Sequence, residues 1–174
     1  LGLCDVVIAT ENSTIGMGGP AMIEGGGLGV FKPEEVGPID LQVKSGVVDV
    51  RVADEPAAIA VAKQYLGYFT REAEAWTCAD QHALRTILPA ERRRAYKVRP
   101  VIEALADTGS VLELRRHFGL GMVTALARIE GRPLGIIANI HAAFPDLHLK
   151  AWTAVEWDWF ERLTKRPTKE LLAE

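Results

Sequence analysis

The sequence predicts an α/β fold. Three observations point there: short β-branched runs at Val6-Val-Ile8 and Val47–Val52, a helix-period segment over Glu55–Phe69, and two apolar runs around Glu130-Gly-Arg-Pro133. The β-branched runs are short and carry residues that fit a pleated, half-buried surface. Two such runs flanking a tight turn with glycine are a hairpin signature.

Leu3–Ala9 reads as a buried strand, with Cys4 beside it as a buried thiol. Thr14–Met17 is a candidate short second strand. Pro20–Glu24 reads as a short helix ended by Gly25–Gly27, because proline presets φ and lacks the N–H that a first helical turn does not use. Pro33-Glu-Glu35 opens another turn, its acids matching the helix dipole, and Gly37-Pro38 breaks it. Ile39–Lys44 adds a turn or two, and Val47–Val52 a strand. The strongest helix is Glu55–Phe69. Asp54 is its cap candidate, and Ile59, Ala62, Leu66 and Phe69 recur at spacings of three and four as one apolar face.

Composition then shifts. Ten of the 16 glycines precede Val47, whereas Thr70–Gln81 has none and is rich in alanine and charge. Thr70–Arg85 therefore reads as a connector, partly helical. Val98–Ala106 is the next helix, with Arg99-Pro100 at its start and Gly109 beyond its end. The hairpin pairs Val123–Ile129 with Leu134–Ala138, and Pro133 fits the start of the return strand, where a missing N–H is tolerated. The predicted organisation is a unit over 1–70, a connector over 71–85, a second unit over 86–139 and a tail of different character over 140–174. Pro145-Asp146 is expected to stop the sheet after Ala138. Three of the four tryptophans, Trp152, Trp157 and Trp159, fall within eight residues of that tail, where Val155–Leu163 and Thr168–Ala173 read as helices.

The densest feature is Gly16–Gly29, with seven glycines in fourteen residues. Flexible linkers are rich in Gly and Ser and lack anchors, but Met17, Met22, Ile23 and Leu28 interrupt this stretch. No Gly-Lys-Ser/Thr follows, so it is not a P-loop. Gly16-x-Gly18-x-x-Ala21 fits a loose dinucleotide fingerprint, yet Glu11-Asn-Ser-Thr14 is too polar for the central strand that fingerprint follows. The remaining reading is a backbone surface of N–H groups ahead of Pro20, open to an anion or oxyanion.

Composition excludes several classes. The chain has 174 residues, a net charge of −3 and 48% hydrophobic residues. There is no global basic field for nucleic acid or an anionic membrane. Arg92-Arg-Arg94 is a local exception, either a solvated basic face or a contact for phosphates such as those of coenzyme A. Two cysteines make no disulfide framework, and a reducing, cytoplasmic setting is the default, or the mitochondrial matrix for a eukaryotic source. His82, His117, His141 and His148 show no close metal spacing; His141, Asp146 and His148 are the one weak grouping, and no metal is assigned. Glu34-Glu35 is better explained as helix-start acids than as an acid–base pair.

Several blocks together carry a family likeness: Gly18-Gly-Pro20, Glu34-Glu-Val-Gly37, Ser45-Gly-Val-Val-Asp-Val50, Tyr65-Leu-Gly-Tyr-Phe69, Val101-Ile-Glu103, Phe118-Gly119 and Ala127-Arg-Ile-Glu-Gly-Arg-Pro-Leu-Gly-Ile-Ile-Ala-Asn139. In these the chain, from Leu1 to about Asn139, resembles the carboxyltransferase (β-subunit type) of biotin-dependent acyl-CoA carboxylases, the propionyl-/acetyl-CoA carboxylase kind. The resemblance implies a truncated crotonase-like fold: a spiral of β-β-α units, with the end of one copy and the opening of a second. It implies carboxyl transfer from carboxybiotin, carried on a partner domain, to an acetyl- or propionyl-CoA. It also implies a biotin carboxyl carrier and a biotin carboxylase as partners, and a homo-oligomer, with neither nucleic acid nor membrane.

No catalytic side chain is assigned, because such chemistry uses backbone N–H donors on developing enolates. Gly18, Gly19 and Pro20 are the expected substrate-side backbone, with Arg92, Arg93 and Arg94 for coenzyme A phosphates. The glycines of the family's first oxyanion hole are expected before Leu1. The second is expected beyond Asn139, where Ile140–Asp146 reads differently. The chain by itself is therefore expected to be inactive, and a non-catalytic remnant or interaction module is the alternative.

Overall fold

The computed structural model describes residues 1–70, 72–87, 96–139 and 150–153. The chain divides into two compact units, Leu1–Gly67 with Glu113–Leu120, and Tyr68–Leu112 with Gly121–Glu174.

In the first unit, β1 (Ile8–Thr10) pairs in parallel with β2 (Val50–Val52), Ile8 opposite Val50 and Thr10 opposite Val52. Between them lie α1 (Pro20–Gly25), a 3-10 turn at Pro33–Glu35 and α2 (Ile39–Ser45). Ile39 and Val43, four apart on one face of α2, pack with Ala9 and Val48, and Val7 and Ile15 lie against them. Gly46 ends α2 in the left-handed conformation at φ 80.

Both strands are shorter than the apolar runs predicted. Val47 and Val48 donate their amides to the Gln42 carbonyl, so they close α2 instead of joining a ladder. Of the run before Ile8, Val7 is held, its carbonyl accepting from the Asp49 and Val50 amides. Leu3 is fully exposed, and Cys4 is exposed as well, which corrects the expectation of a buried thiol. Thr14–Met17 is reduced to one antiparallel bridge, Thr14 with Pro38.

α3 (Glu55–Thr70) starts as expected, the Asp54 carboxylate accepting from the Ala57 amide at 2.9 Å. Its apolar stripe does not face inward. Ile59, Leu66 and Phe69 are 55%, 60% and 67% exposed, and Tyr68 is the buried residue. Ala57, Ala58, Ala60, Val61 and Ala62 surround the helix with further apolar groups, so spacing alone could not select the buried side.

A four-stranded sheet runs in the order β3 (Leu112–Leu114), β4 (Met122–Ile129), β5 (Arg132–Asn139) and β6 (Lys150–Thr153), the last three within the second unit. β4 and β5 are the predicted hairpin, in register from Met122 opposite Asn139 to Ile129 opposite Arg132. Val123, Ala125 and Ala127 alternate inward with Leu134, Ile136 and Ala138. α5 (Val98–Leu105) lays Val98 and Ile102 on that face, with Ala106 just beyond it.

β6 corrects the expected end of the sheet. It pairs antiparallel with β5, Ile137 opposite Lys150 and Leu134 opposite Thr153. β5 has a second edge of backbone donors and acceptors, and Lys150–Thr153 pairs with it. The predicted helices at Val155–Leu163 and Thr168–Ala173, with Trp157 and Trp159, lie outside the described residues.

The stretch read as a connector is tied down by backbone bonds. Ala73 donates to the Gly131 carbonyl at 2.9 Å, and Thr108 to Thr77 at 2.7 Å. Gln81 Nε2 donates to the Ala104 carbonyl at 2.6 Å, and a short helix, α4 (Leu84–Ile87), follows. The Tyr68 hydroxyl donates to the Ser110 carbonyl, and the Arg128 guanidinium stands 5.6 Å over the Tyr68 ring.

Candidate functional site

The glycine-rich segment has the local form the sequence predicts. Gly19 is the N-cap of α1, with Pro20 in the first turn. Its φ is −81 and its ψ 171, ordinary extended backbone, so no left-handed strain is stored there. The amides of Gly26, Gly27 and Leu28 donate to Met22, Glu24 and Ile23, which closes the helix after two turns.

Gly18 is half-buried and Gly19 exposed. A Cβ built on Gly19 or Gly25 would meet no atom within 4 Å, and one on Gly18 would touch only Met22, at 3.6 Å. The fold itself therefore does not need glycine at position 19. Around this open backbone Met17, Met22, Leu28 and Val30 are each more than 70% exposed. Within the first turn Pro20 has no N–H, and Met22 and Ile23 donate to the Gly19 carbonyl. The segment is a backbone-lined face flanked by exposed apolar side chains. Arg92, Arg93 and Arg94 lie outside the described residues.

The other candidates reduce to simpler roles. Glu35 accepts from the Lys32 amide at 2.7 Å and caps its own turn. Among the described residues no group of His, Cys, Asp or Glu could hold a metal ion. His141, Asp146 and His148 fall outside them. Cys78, like Cys4, is an exposed free thiol. No helix among the described residues is long and apolar enough to cross a membrane.

Two buried carboxylates were missed. Asp107 accepts from the amides of Glu130 and Gly131 at 2.9 and 2.8 Å, and its own amide donates to Arg128 at 2.8 Å. It clasps the β4–β5 turn, where Glu130 and Gly131 both have positive φ, at 53 and 77. Hairpin turns of this handedness favour Asn-Gly or Asp-Gly. The Asp107 clasp holds Glu in that place, and Arg128 Nη1 adds a bond to the Gly131 carbonyl at 2.5 Å. A Cβ on Gly131 would run into the Ala73 carbonyl. The Glu-Gly-Arg-Pro block is thus a built turn. Asp49 is the second, accepting from the Val7 amide at 2.8 Å and from Arg115 Nε at 2.7 Å. An aspartate inside Val47-Val-Asp-Val50 was the available signal, since a charge inside an apolar run is costly unless bonded.

The chain matches the carboxyl transferase domain over residues 2–153. That span passes Asn139 and takes in β6, so the likeness reaches further than the sequence blocks carried it. The chain is 29% identical over 161 residues to the biotin-dependent 3-methylcrotonyl-coenzyme A carboxylase beta1 subunit of Mycobacterium tuberculosis, covering 87% of this chain and 30% of that one. It is 31% identical over 149 residues to the propionyl-CoA carboxylase beta chain of Rhodococcus erythropolis, with 79% and 30% covered. A solved single-chain, multi-domain long-chain acyl-CoA carboxylase is 54% identical with a TM-score of 0.78, over 81% of this chain and 14% of that one. The chain spans less than a third of the curated relatives it matches. With the match running through the clasped hairpin and the glycine segment alike, the chain belongs to the carboxyl transferase domain family.

Proposed function

We propose that this chain is a segment of an acyl-CoA carboxyltransferase subunit in a biotin-dependent carboxylase. The supporting observation is the likeness over 81% of the chain, at 54% identity, to a structure named as an acyl-CoA carboxylase. In this reaction carboxybiotin would supply the carboxyl group: its N–C bond breaks as a new C–C bond forms at the acyl-CoA α-carbon, and the α-proton ends on the freed ureido nitrogen. This chain's own residues bind and shape. The Gly18-Gly-Pro20 backbone, bare of Cβ atoms at its exposed point, fits the close approach of a thin thioester or biotin arm. Met17 and Met22 offer apolar, adaptable contacts beside it. Arg92, Arg93 and Arg94 are proposed to meet the phosphates of coenzyme A.

The fold we propose is crotonase-like, residues 1–70 closing one β-β-α copy and residues 86–139 opening another, with residues 71–85 between them. The biotin carboxyl carrier, a biotin carboxylase and further copies of the subunit are the proposed partners. The substrate is an acyl-CoA. Acetyl- and propionyl-CoA are the sequence-based expectation, and the 54% identity to a long-chain enzyme favours a longer acyl chain. The test is a carboxyl-exchange assay on the complete subunit carrying this segment, with acetyl-, propionyl- and long-chain acyl-CoA. Turnover with one of them supports the reading; none with any overturns it. A second reading, a non-catalytic interaction module, draws on the exposed apolar side chains of the first unit. That reading predicts oligomerisation with no thioester binding.

A further inference from the structure

We infer that Met22 and Leu28 seat the acyl chain of the thioester and set the chain length that the site prefers. That role rests on the proposed function, which puts the thioester at Gly18-Gly-Pro20, and it concerns the substrate beyond its reacting carbons. Single exposed apolar residues are ordinary on a protein surface. Here Met17, Met22, Leu28 and Val30 follow one another closely, and each is more than 70% exposed. None belongs to the Ala9, Ile39, Val43 and Val48 cluster. Met22 and Leu28 are also held in place. Met22 folds back along the backbone, so that a Cβ on Gly18 would stand 3.6 Å from its Sδ. Leu28 Cδ1 lies 3.9 Å from where Gly26 would carry a Cβ. The Leu28 amide donates to the Ile23 carbonyl at 3.1 Å. Gly27 and Gly29, at φ 71 and 112, turn the chain on either side of it. Each side chain thus lies along a glycine backbone, toward opposite ends of α1, whose six residues span roughly 9 Å.

The chemistry of this face fits an alkyl chain better than a protein. Glu24 is the one charged residue between Gly16 and Phe31, in a chain with 25% charged residues. The amides of Met22, Ile23, Gly26, Gly27 and Leu28 are all used within the segment. A protein interface carries a polar rim and its own hydrogen bonds, and this face has little to offer either. The area is small as well. Four such side chains present on the order of 400 Å² of apolar surface, against about 800 Å² per partner in a standard protein interface. A methylene chain needs neither charge nor hydrogen bonds, and each methylene moved from water onto apolar surface is worth about fourfold in binding. An acetyl or propionyl group held at Gly18 ends close to its thioester, whereas a longer chain running along α1 passes Met22 and then Leu28. Methionine suits that task, because its unbranched thioether adapts to a chain without a fixed shape.

Carboxyl exchange by the complete subunit carrying this segment tests the seat, with acetyl-, propionyl-, octanoyl- and lauroyl-CoA and the variants Met22→Ser, Leu28→Ser, Leu28→Met and Ile59→Ser. The quantity read is the ratio of kcat/KM for lauroyl-CoA to that for propionyl-CoA, which a general loss of folded enzyme leaves unchanged. Each serine variant should lower this ratio about tenfold or more, mainly through KM for the longer thioester. Leu28→Met keeps the apolar bulk and should recover most of the ratio. Ile59→Ser, at an exposed apolar residue on α3, should leave it within about twofold. An unchanged ratio in either serine variant overturns the seat while the exchange reaction itself stands. Wild-type exchange confined to acetyl- and propionyl-CoA does the same. An equal loss for every chain length, with a raised KM for the carboxylated biotin carrier, gives the face to a protein partner and overturns the seat. Wild-type exchange with none of the four thioesters overturns the proposed function and the seat together.

Discussion

At the scale of single residues, the structure separates glycines that the fold needs from one it does not. Gly37 has φ 67, and a Cβ there would run into the Ile15 carbonyl. Gly37→Ala should therefore lose about 1–3 kcal/mol through strain and displacement, measured by urea unfolding. Gly19 is the opposite case, with φ −81 and open space at its Cβ. Gly19→Ala should leave stability within about 0.5 kcal/mol. If a ligand arm uses that opening, the same change lowers carboxyl exchange in the complete subunit, and unchanged exchange would remove Gly19 from the site. Asp107→Ala strips the acceptor from two turn amides, each of which costs about 1–3 kcal/mol when left buried and unbonded. Unfolding should show that loss, and hairpin amides should lose exchange protection first.

At the scale of elements, α3 and α5 show how burial decides what spacing leaves open. Both are apolar, but only α5 lies on a sheet, with Val98 and Ile102 3% and 2% exposed. Ile102→Ala should cost about 2–5 kcal/mol. Ile59→Ala, on the exposed side of α3, should stay within about 0.5 kcal/mol. The sequence reading would rank the two alike, so one pair of denaturation curves decides between spacing and packing. Asp54→Ala tests the cap of α3 and should cost about 0.5–2 kcal/mol, read as lost helicity.

For the whole molecule, the chain covers less than a third of its curated relatives, and the oxyanion holes that the family resemblance implies are expected outside Leu1–Asn139. Removing one oxyanion donor typically costs about 2.7–4 kcal/mol of barrier. The isolated chain should therefore show no measurable exchange between carboxybiotin and any acyl-CoA. Turnover near that of a complete subunit would refute its being a partial one. Much apolar surface of the first unit is open, including Met17, Met22, Leu28 and Ile59. Such patches mark interaction surfaces, so the chain should bind a hydrophobic dye more strongly than a complete subunit does.

The sequence by itself determined the elements whose causes are local. Pro20 after glycine starts α1, Asp54 caps α3, and Glu130-Gly131 between alternating apolar runs makes the hairpin, because backbone sterics and period-two patterning act within a few residues. The family was legible for the same reason, since the Glu-Gly-Arg-Pro block records a turn that must be built one way. Tertiary structure decided the rest. Whether Val47 and Val48 extend a strand or close α2 depends on which carbonyl is nearer, and that is the Gln42 carbonyl. Which side of α3 is buried depends on what packs against it. β6 exists because β5 has a second edge to pair, and Asp49 is buried because Arg115, 66 residues away, meets it there. Contacts over such separations leave no periodic trace along the chain, since each partner is set by the fold and not by its neighbours in sequence.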